Sequence, residues 1–415
     1  MLQPLDIDLA AYQISTKCGF LPEEPPVARL NDSYYDPWEC LLSDLPRLLV
    51  EGLAREEIDR LPVLSTKRLS SEPMWRRAYV ILSFLAQAYI WERGIVRNTL
   101  PPSIVRPLLD VAQHLELKPC ATFAAFCLWN FSVQRSDDEP GEISITQPEN
   151  LPTISSLSNT QDESWFFSIS NAIEARGGPI IFSLLTALRA VQLNNVSQLE
   201  QFLQEVSASL EEIRRTLERI SERCEPWVFY DEVRPMLCGS RNVTSTGFPN
   251  GVFYVHGEVP TEGQWHAYSG ASNAQSSTIQ LFDVILGVQH EASANGAAVG
   301  ESKMGYLQEM RHYMPGPHRR FLELMEERCT IRAFVLSQPP DSEVQKLYQI
   351  AVLELRALRD THLSIVSRYV IIPAMRHKAR RCSLGCTDLI GTGGTEMISF
   401  LKNSRDETDA ASRLQ

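Results

Sequence analysis

The chain has 415 residues, an apolar fraction of 44%, a charged fraction of 22% and a formal net charge of -12; these are the proportions of a soluble globular protein long enough for more than one core. No excess of Lys and Arg exists to neutralise phosphates, so nucleic acid and an anionic membrane are not expected partners. The opening MLQPLDIDLAAY lacks a basic n-region and an apolar h-region, and nine scattered cysteines then imply reduced thiols and a cytoplasmic protein.

In chain order, the first strong signal is the apolar run Ala78 to Trp91. It is too short to span a bilayer and contains Ser83 and Gln87, so it predicts a buried helix. Residues Arg135 to Glu163 are rich in Ser, Asp, Glu, Pro and Asn and predict a connector. The expected organisation is a small helical domain over 1–140, a linker over 141–163 and a large helical domain over 164–415. Apolar positions Leu199, Phe202, Leu203, Val206, Leu210, Ile213, Leu217 and Ile220 are spaced by three and four, with Glu211, Glu212, Arg214 and Arg215 on the other face. That is an amphipathic helix packed on a core. Phe253-Tyr254-Val255 is the one short strand candidate, and Gly263 to Asn273 and Ala292 to Glu301 read as loops. A second long stripe runs Leu347, Ala351, Leu355, Leu358, His362, Ile365 and Tyr369, and Pro373 should end it. Arg376 to Gly394 is irregular, basic first and glycine-rich later. No internal repeat emerges, and the fold class predicted is all-α.

The usual hydrolytic and phosphate-binding signatures G-x-S-x-G, H-E-x-x-H and the P-loop are missing. Gly391-Thr392-Gly393-Gly394-Thr395 follows no predicted strand and is read as a mobile loop. Cys382-x-x-x-Cys386 with His377 does not complete a zinc site, and the basic residues from Arg376 to Arg381 are read as a solvated loop. His362 is different, because it occupies the apolar stripe of a long helix. A lone histidine there is usually a core residue; an imidazole on a rigid helix is also how haem iron is held from one side. Arg359, three residues earlier on the same face, fits a haem propionate or a surface salt bridge. The pattern alone leaves both pairs of alternatives open.

Four stretches carry a resemblance: Ser276-Ser277-x-x-Gln280-x-Phe282-Asp283-Val284-x-Leu286-Gly287; Met310-Arg311-His312-Tyr313-Met314-Pro315 with His318-Arg319; Leu358-Arg359-x-x-His362-Leu363-x-Ile365-Val366-x-x-Tyr369; and Gly391-Thr392-Gly393-Gly394-Thr395. In this order and spacing the chain resembles the indoleamine 2,3-dioxygenase family, and it is similar to fungal members in length and loops. Weaker matches reach Phe166-Phe167 and Asp44-Leu45-Pro46. The resemblance implies a two-domain helical fold holding haem b, with His362 as the proximal iron ligand and Arg359 on a propionate. It implies a pocket of Phe123, Phe126, Cys127, Phe166, Phe167, Ser170, Phe229, Tyr230, Arg234, Leu237, Ala271, Ser272 and Asn273. Arg234 would anchor the substrate carboxylate through its planar fork. Ser170 would adjust hydrogen bonding near the oxygen or the indole N–H, and Ser272 would lie beside the cofactor. Thr392 would belong to a lid that closes on substrate. The implied reaction opens the indole C2=C3 bond of L-tryptophan with O₂ to give N-formylkynurenine, in a monomer whose iron an external reductant keeps ferrous. The cofactor carries the hard step, so no acid/base pair is required.

Several positions depart from better-known members. Phe123 stands where a tyrosine is common, and Phe126 and Cys127 replace smaller or aliphatic residues. In Gly270-Ala271-Ser272-Asn273-Ala274, Ala271 restricts a backbone that glycine would free, and Asn273 adds an amide near the expected indole. The rivals are a haem-binding signalling protein without catalysis, an enzyme for tryptamine or another indole, and a cofactor-free scaffold using Leu199 to Ile220 as a partner helix.

Overall fold

The structure, a computed structural model, describes residues 7–92, 95–134, 143–241, 248–290, 305–380, 392 and 397–414, with backbone alone for 377–380. The molecule is 64% helical and 4% strand, an all-α fold. Among the described residues the N-terminal part holds α1 (Asp36–Glu51), α2 (Ala54–Asp59), α3 (Glu72–Trp91) and α4 (Pro102–His114). Every residue from Ala78 to Trp91 is buried in α3, as a helix apolar all round requires, and no described helix is long and apolar enough to cross a membrane.

After the segment 143–160 come α5 (Gln161–Arg176), α6 (Gly178–Gln192), α7 (Val196–Glu218) and the single turn α8 (Pro226–Val228). The later half adds α9 (Ser277–Ile285), α10 (Tyr306–Arg311), α11 (Gly316–Arg328), α12 (Ile331–Leu336), α13 (Glu343–Val366), α14 (Ile372–Arg380) and α15 (Met397–Ala411). The predicted stripe on α7 is buried along its whole length. It packs on α13, and α15 lies against α13 as well. A helix whose apolar face is consumed in this way has no face left for a partner, which removes the scaffold alternative.

Three expectations change; the first is that residues 376–380, read as irregular loop, belong to α14. Pro373 does not end the helix: a wide π turn over Ser367–Ile371 joins α13 to α14, which places Pro373 in the first turn of α14, where no donor is needed. Gly263–His266 is a strand rather than loop: β3 pairs antiparallel with β2 (Val252–Val255), whose other edge takes β1 (Thr99–Leu100) in parallel. Gly251, at φ +83, sits so close to the His266 carbonyl that any Cβ would strike it, so the sheet needs a glycine there.

The apolar core is continuous from Leu9 to Ala411. Polar ties cross between the two halves: the Gln87 amide donates to the carbonyls of Met236 and Cys238 at 2.7 and 3.1 Å, and Trp91 Nε1 donates to Cys238 O at 3.1 Å. The described part of the expected linker, 143–163, is anchored too. Leu151 and Leu157 are buried, and the buried Glu163 carboxylate accepts from Leu157 N and Ser158 N at 2.9 and 2.7 Å. Thr160 Oγ1 accepts from Glu163 N and starts α5 three residues before the expected domain boundary. Gly391, Gly393 to Thr395, Cys382, Cys386 and the loop 292–301 lie outside the described residues.

Candidate active site

Between α5, α7, α9, α13 and α15 lies a cavity of about 1960 Å³ counted to its open mouth. Three π turns feed its walls: Ala124–Leu128 supplies Phe126 and Cys127, Phe229–Val233 supplies Phe229, and Ser367–Ile371 supplies Tyr369 and Val370. One extra residue per turn rotates the following side chains out of the straight-helix register, and such turns recur at functional sites.

His362 lines the cavity from α13. Burial, with Arg359 nearby, lowers its pKa to about 4, so the imidazole is neutral at physiological pH. Neither ring nitrogen has a hydrogen-bond partner among the described residues. A neutral nitrogen left open toward an apolar chamber is the donor that porphyrin iron takes on one face. No cluster of three His, Cys, Asp or Glu side chains able to hold a bare ion occurs among the described residues, whereas iron carried in a macrocycle needs one protein nitrogen. The donor chemistry fits haem.

Arg359 also lines the cavity and is ion-paired with Asp283 at 2.6 Å; its guanidinium donates to Ser404 O at 3.3 Å and to Thr408 Oγ1 of α15. Burial raises the Asp283 carboxyl, but Arg359 and His290 outweigh it and hold the group below its usual range. Arg359 is therefore part of an internal ion pair and not the surface salt bridge that spacing alone allowed.

The aromatic wall is continuous. Phe126 stacks on Phe167 with centroids 5.5 Å apart, Phe167 meets Phe166 edge-on at 5.3 Å, and Phe166 meets Phe229 at 4.8 Å. Phe123, Ser170, Leu237, Ala271, Ser272 and Asn273 line the same space. Ser170 Oγ donates to Phe166 O of its own helix at 3.2 Å, so its lone pairs stay available to accept. Burial pushes the Cys127 thiol far above its ordinary pKa, which leaves it an uncharged neighbour. Buried Arg234 lines the cavity, its guanidinium 5.4 Å from the centre of the Tyr230 ring. Tyr230 is the exception among the expected pocket residues: it is buried behind Arg234 and does not line the cavity. Thr392 reaches in, donating from Oγ1 to Ala271 O at 2.7 Å, while its carbonyl accepts from Gly270 N at 3.1 Å.

Sequence reading missed Glu174, whose buried carboxyl takes hydrogen bonds from Ser276 and Thr278 at the start of α9 and is raised by burial. It also missed Asp283 and the first turns of α15, where Phe400, Leu401 and Ser404 line the cavity. The i, i+4 pair Ser170 and Glu174 on one face of α5 was the signal available for Glu174.

A family model described as indoleamine 2,3-dioxygenase matches residues 8–411. The chain is 48% identical to an indoleamine 2,3-dioxygenase of Aspergillus nanangensis over 100% of this chain and 99% of the relative. It is 37% identical to the indoleamine 2,3-dioxygenase of Saccharomyces cerevisiae over 100% of this chain and 95% of that one. A 6-hydroxytryptophan 2,3-dioxygenase of Fusarium equiseti is 34% identical over 98% of both.

Proposed function

The chain belongs to the indoleamine 2,3-dioxygenase family of haem-dependent dioxygenases, and from that premise we propose that it inserts both atoms of O₂ across the indole C2=C3 bond of L-tryptophan to give N-formylkynurenine. The observation that carries the reading is the open, neutral His362 nitrogen facing a large aromatic-walled cavity that also holds the buried Arg234 guanidinium.

His362 would hold the iron of haem b, and Arg359, already steadied by Asp283, would share its remaining N–H groups with a propionate. Ferrous haem, when bound, supplies the binding and activation of O₂. The chain's own task is to orient the indole and exclude water. Phe166, Phe167 and Phe229 offer ring faces and edges to a planar indole. Arg234 takes the carboxylate with two parallel N–H bonds. Ser170 accepts from the indole N–H through the lone pairs its own hydrogen bond leaves open, and no general base is needed. Ala271, tied to Thr392, and Ser272 close a further side of the cavity. The protein works as a cytoplasmic monomer with an external reductant. A ring-hydroxylated tryptophan is the second reading, favoured by the Fusarium relative and by the hydroxyl and thiol that Ser170 and Cys127 place on the wall.

Tryptamine has the indole and lacks the carboxylate, so it tests Arg234. The wild type should prefer tryptophan over tryptamine by roughly 10- to 100-fold, the range of a charge-assisted hydrogen-bonded pair. Arg234→Ala should abolish that preference with haem content intact. A preference that survives the substitution would remove Arg234 from the site.

A further inference from the structure

Gln275 is buried at the end of the loop that walls the cavity, yet its side chain does not line the cavity. Both ends of its carboxamide are used, in opposite directions. Oε1 accepts from Phe123 N at 2.8 Å, and Nε2 donates to Gly270 O at 2.9 Å. A backbone N–H can only donate and a carbonyl can only accept, so these partners fix which end of the amide is which.

The two strands of backbone it joins belong to different walls. Phe123 opens the π turn that presents Phe126 and Cys127. Gly270 abuts Leu237 so closely that a Cβ would lie 2.1 Å from Leu237 O. Gly270 N donates to Thr392 O at 3.1 Å, and Gly239 N donates to the same carbonyl at 3.4 Å. One amide therefore spans the turn before Phe126 and the seam where Leu237, Ala271 and Thr392 meet.

We propose that Gln275 is a positioning residue for substrate: its carboxamide sets the separation between the Phe123 wall and the Gly270–Asn273 wall, and so the width of the slot that takes the indole amino acid. This rests on the reading of the cavity as an indole site. Gln275 touches neither substrate nor cofactor and acts through Phe123, Leu237 and Ala271.

Gln275→Glu tests the claim, because a carboxyl group mimics the amide only when protonated. A neutral acid accepts from Phe123 N–H with its C=O and donates to Gly270 O with its O–H. A carboxylate turns lone pairs on Gly270 O. Burial raises such a group's pKa, so the swap should occur within an accessible pH range. Affinity for L-tryptophan is read from the substrate-induced Soret shift of the haem-reconstituted ferric protein. Gln275→Glu should match the wild type near pH 6 and bind about tenfold more weakly near pH 8, as loss of one buried hydrogen bond gives. Gln275→Met, of similar shape without hydrogen bonds, should be weak at both. Wild-type affinity in Gln275→Glu at both pH values, or equal weakness at both, would overturn the proposal. Amide exchange at Gly270 in the cofactor-free full chain gives a separate readout: its protection in Gln275→Glu should fall over the same pH interval. If tryptophan fails to bind the wild type, the indole reading fails, while exchange at Gly270 still decides whether Gln275 holds the two walls.

Discussion

Two side chains divide the work of the cavity, and substitution separates them. His362→Ala removes the imidazole and should lose haem or leave it loosely held, seen as a collapsed Soret band after reconstitution and gel filtration. Arg234→Ala should keep the Soret band and lose tryptophan turnover. Normal haem content in His362→Ala would refute the ligand assignment. The aromatic wall carries stability as well. Phe167 is fully buried between Phe126 and Phe166, so Phe167→Ala should cost about 3–5 kcal/mol, measured by chemical unfolding. His362 and Arg234 were named from the family resemblance, since the spaced pattern alone left His362 open and did not single out Arg234. Tyr230, named together with Phe229, is buried in the π turn and does not line the cavity. Beyond the local pair with Ser170, the role of Glu174 rests on Ser276 and Thr278, 102 and 104 positions away, and that of Gln275 on Phe123, 152 positions away, so neither could be read from local sequence.

At the scale of elements, α15 is held over the cavity mouth by charge. His290, just beyond α9, lies between two carboxylates: Nε2 is 3.2 Å from Asp283 and Nδ1 is 2.6 Å from Glu407 of α15. Two flanking carboxylates favour the imidazolium over the neutral ring. Burial lowers the pKa of His290 and the Arg359 guanidinium adds to that, but the hydrogen bond and charge of Asp283, with Glu407, outweigh them and raise it. A raised histidine stabilises the fold in full below its unfolded value of about 6.5. That contribution is lost as pH rises through the higher folded value. Glu407→Gln should therefore lower the melting temperature more at pH 6 than at pH 8.5, by about 1 kcal/mol of stability at the lower pH. Equal losses at both pH values would show that the imidazolium does not hold α15. The stripes on α7 and α13 were readable because 3.6-residue periodicity is a local property of sequence. The junction at Pro373 was not, because a π turn adds one residue to a helix and leaves no mark in composition.

Across the whole molecule, the continuous core and the ties from Gln87 and Trp91 to Met236 and Cys238 bind the N-terminal helices to the walls of the site. The two halves should therefore unfold together. Calorimetry of the cofactor-free chain should give one transition, and two well-separated peaks would contradict the coupling. The composition of 141–163 pointed to a linker because polar, proline-rich sequence usually stays solvated; here the buried Glu163 carboxylate gathers the backbone amides that such a segment would otherwise leave to water. All-α architecture was legible throughout, since strands were scarce.

The most direct test is to give the reduced, haem-reconstituted protein L-tryptophan under ¹⁸O₂ and weigh the product. Both atoms inserted across the indole bond predict N-formylkynurenine carrying two labelled oxygens. A product with one labelled atom, or a normal haem spectrum with no product, would contradict dioxygenation of tryptophan at this site.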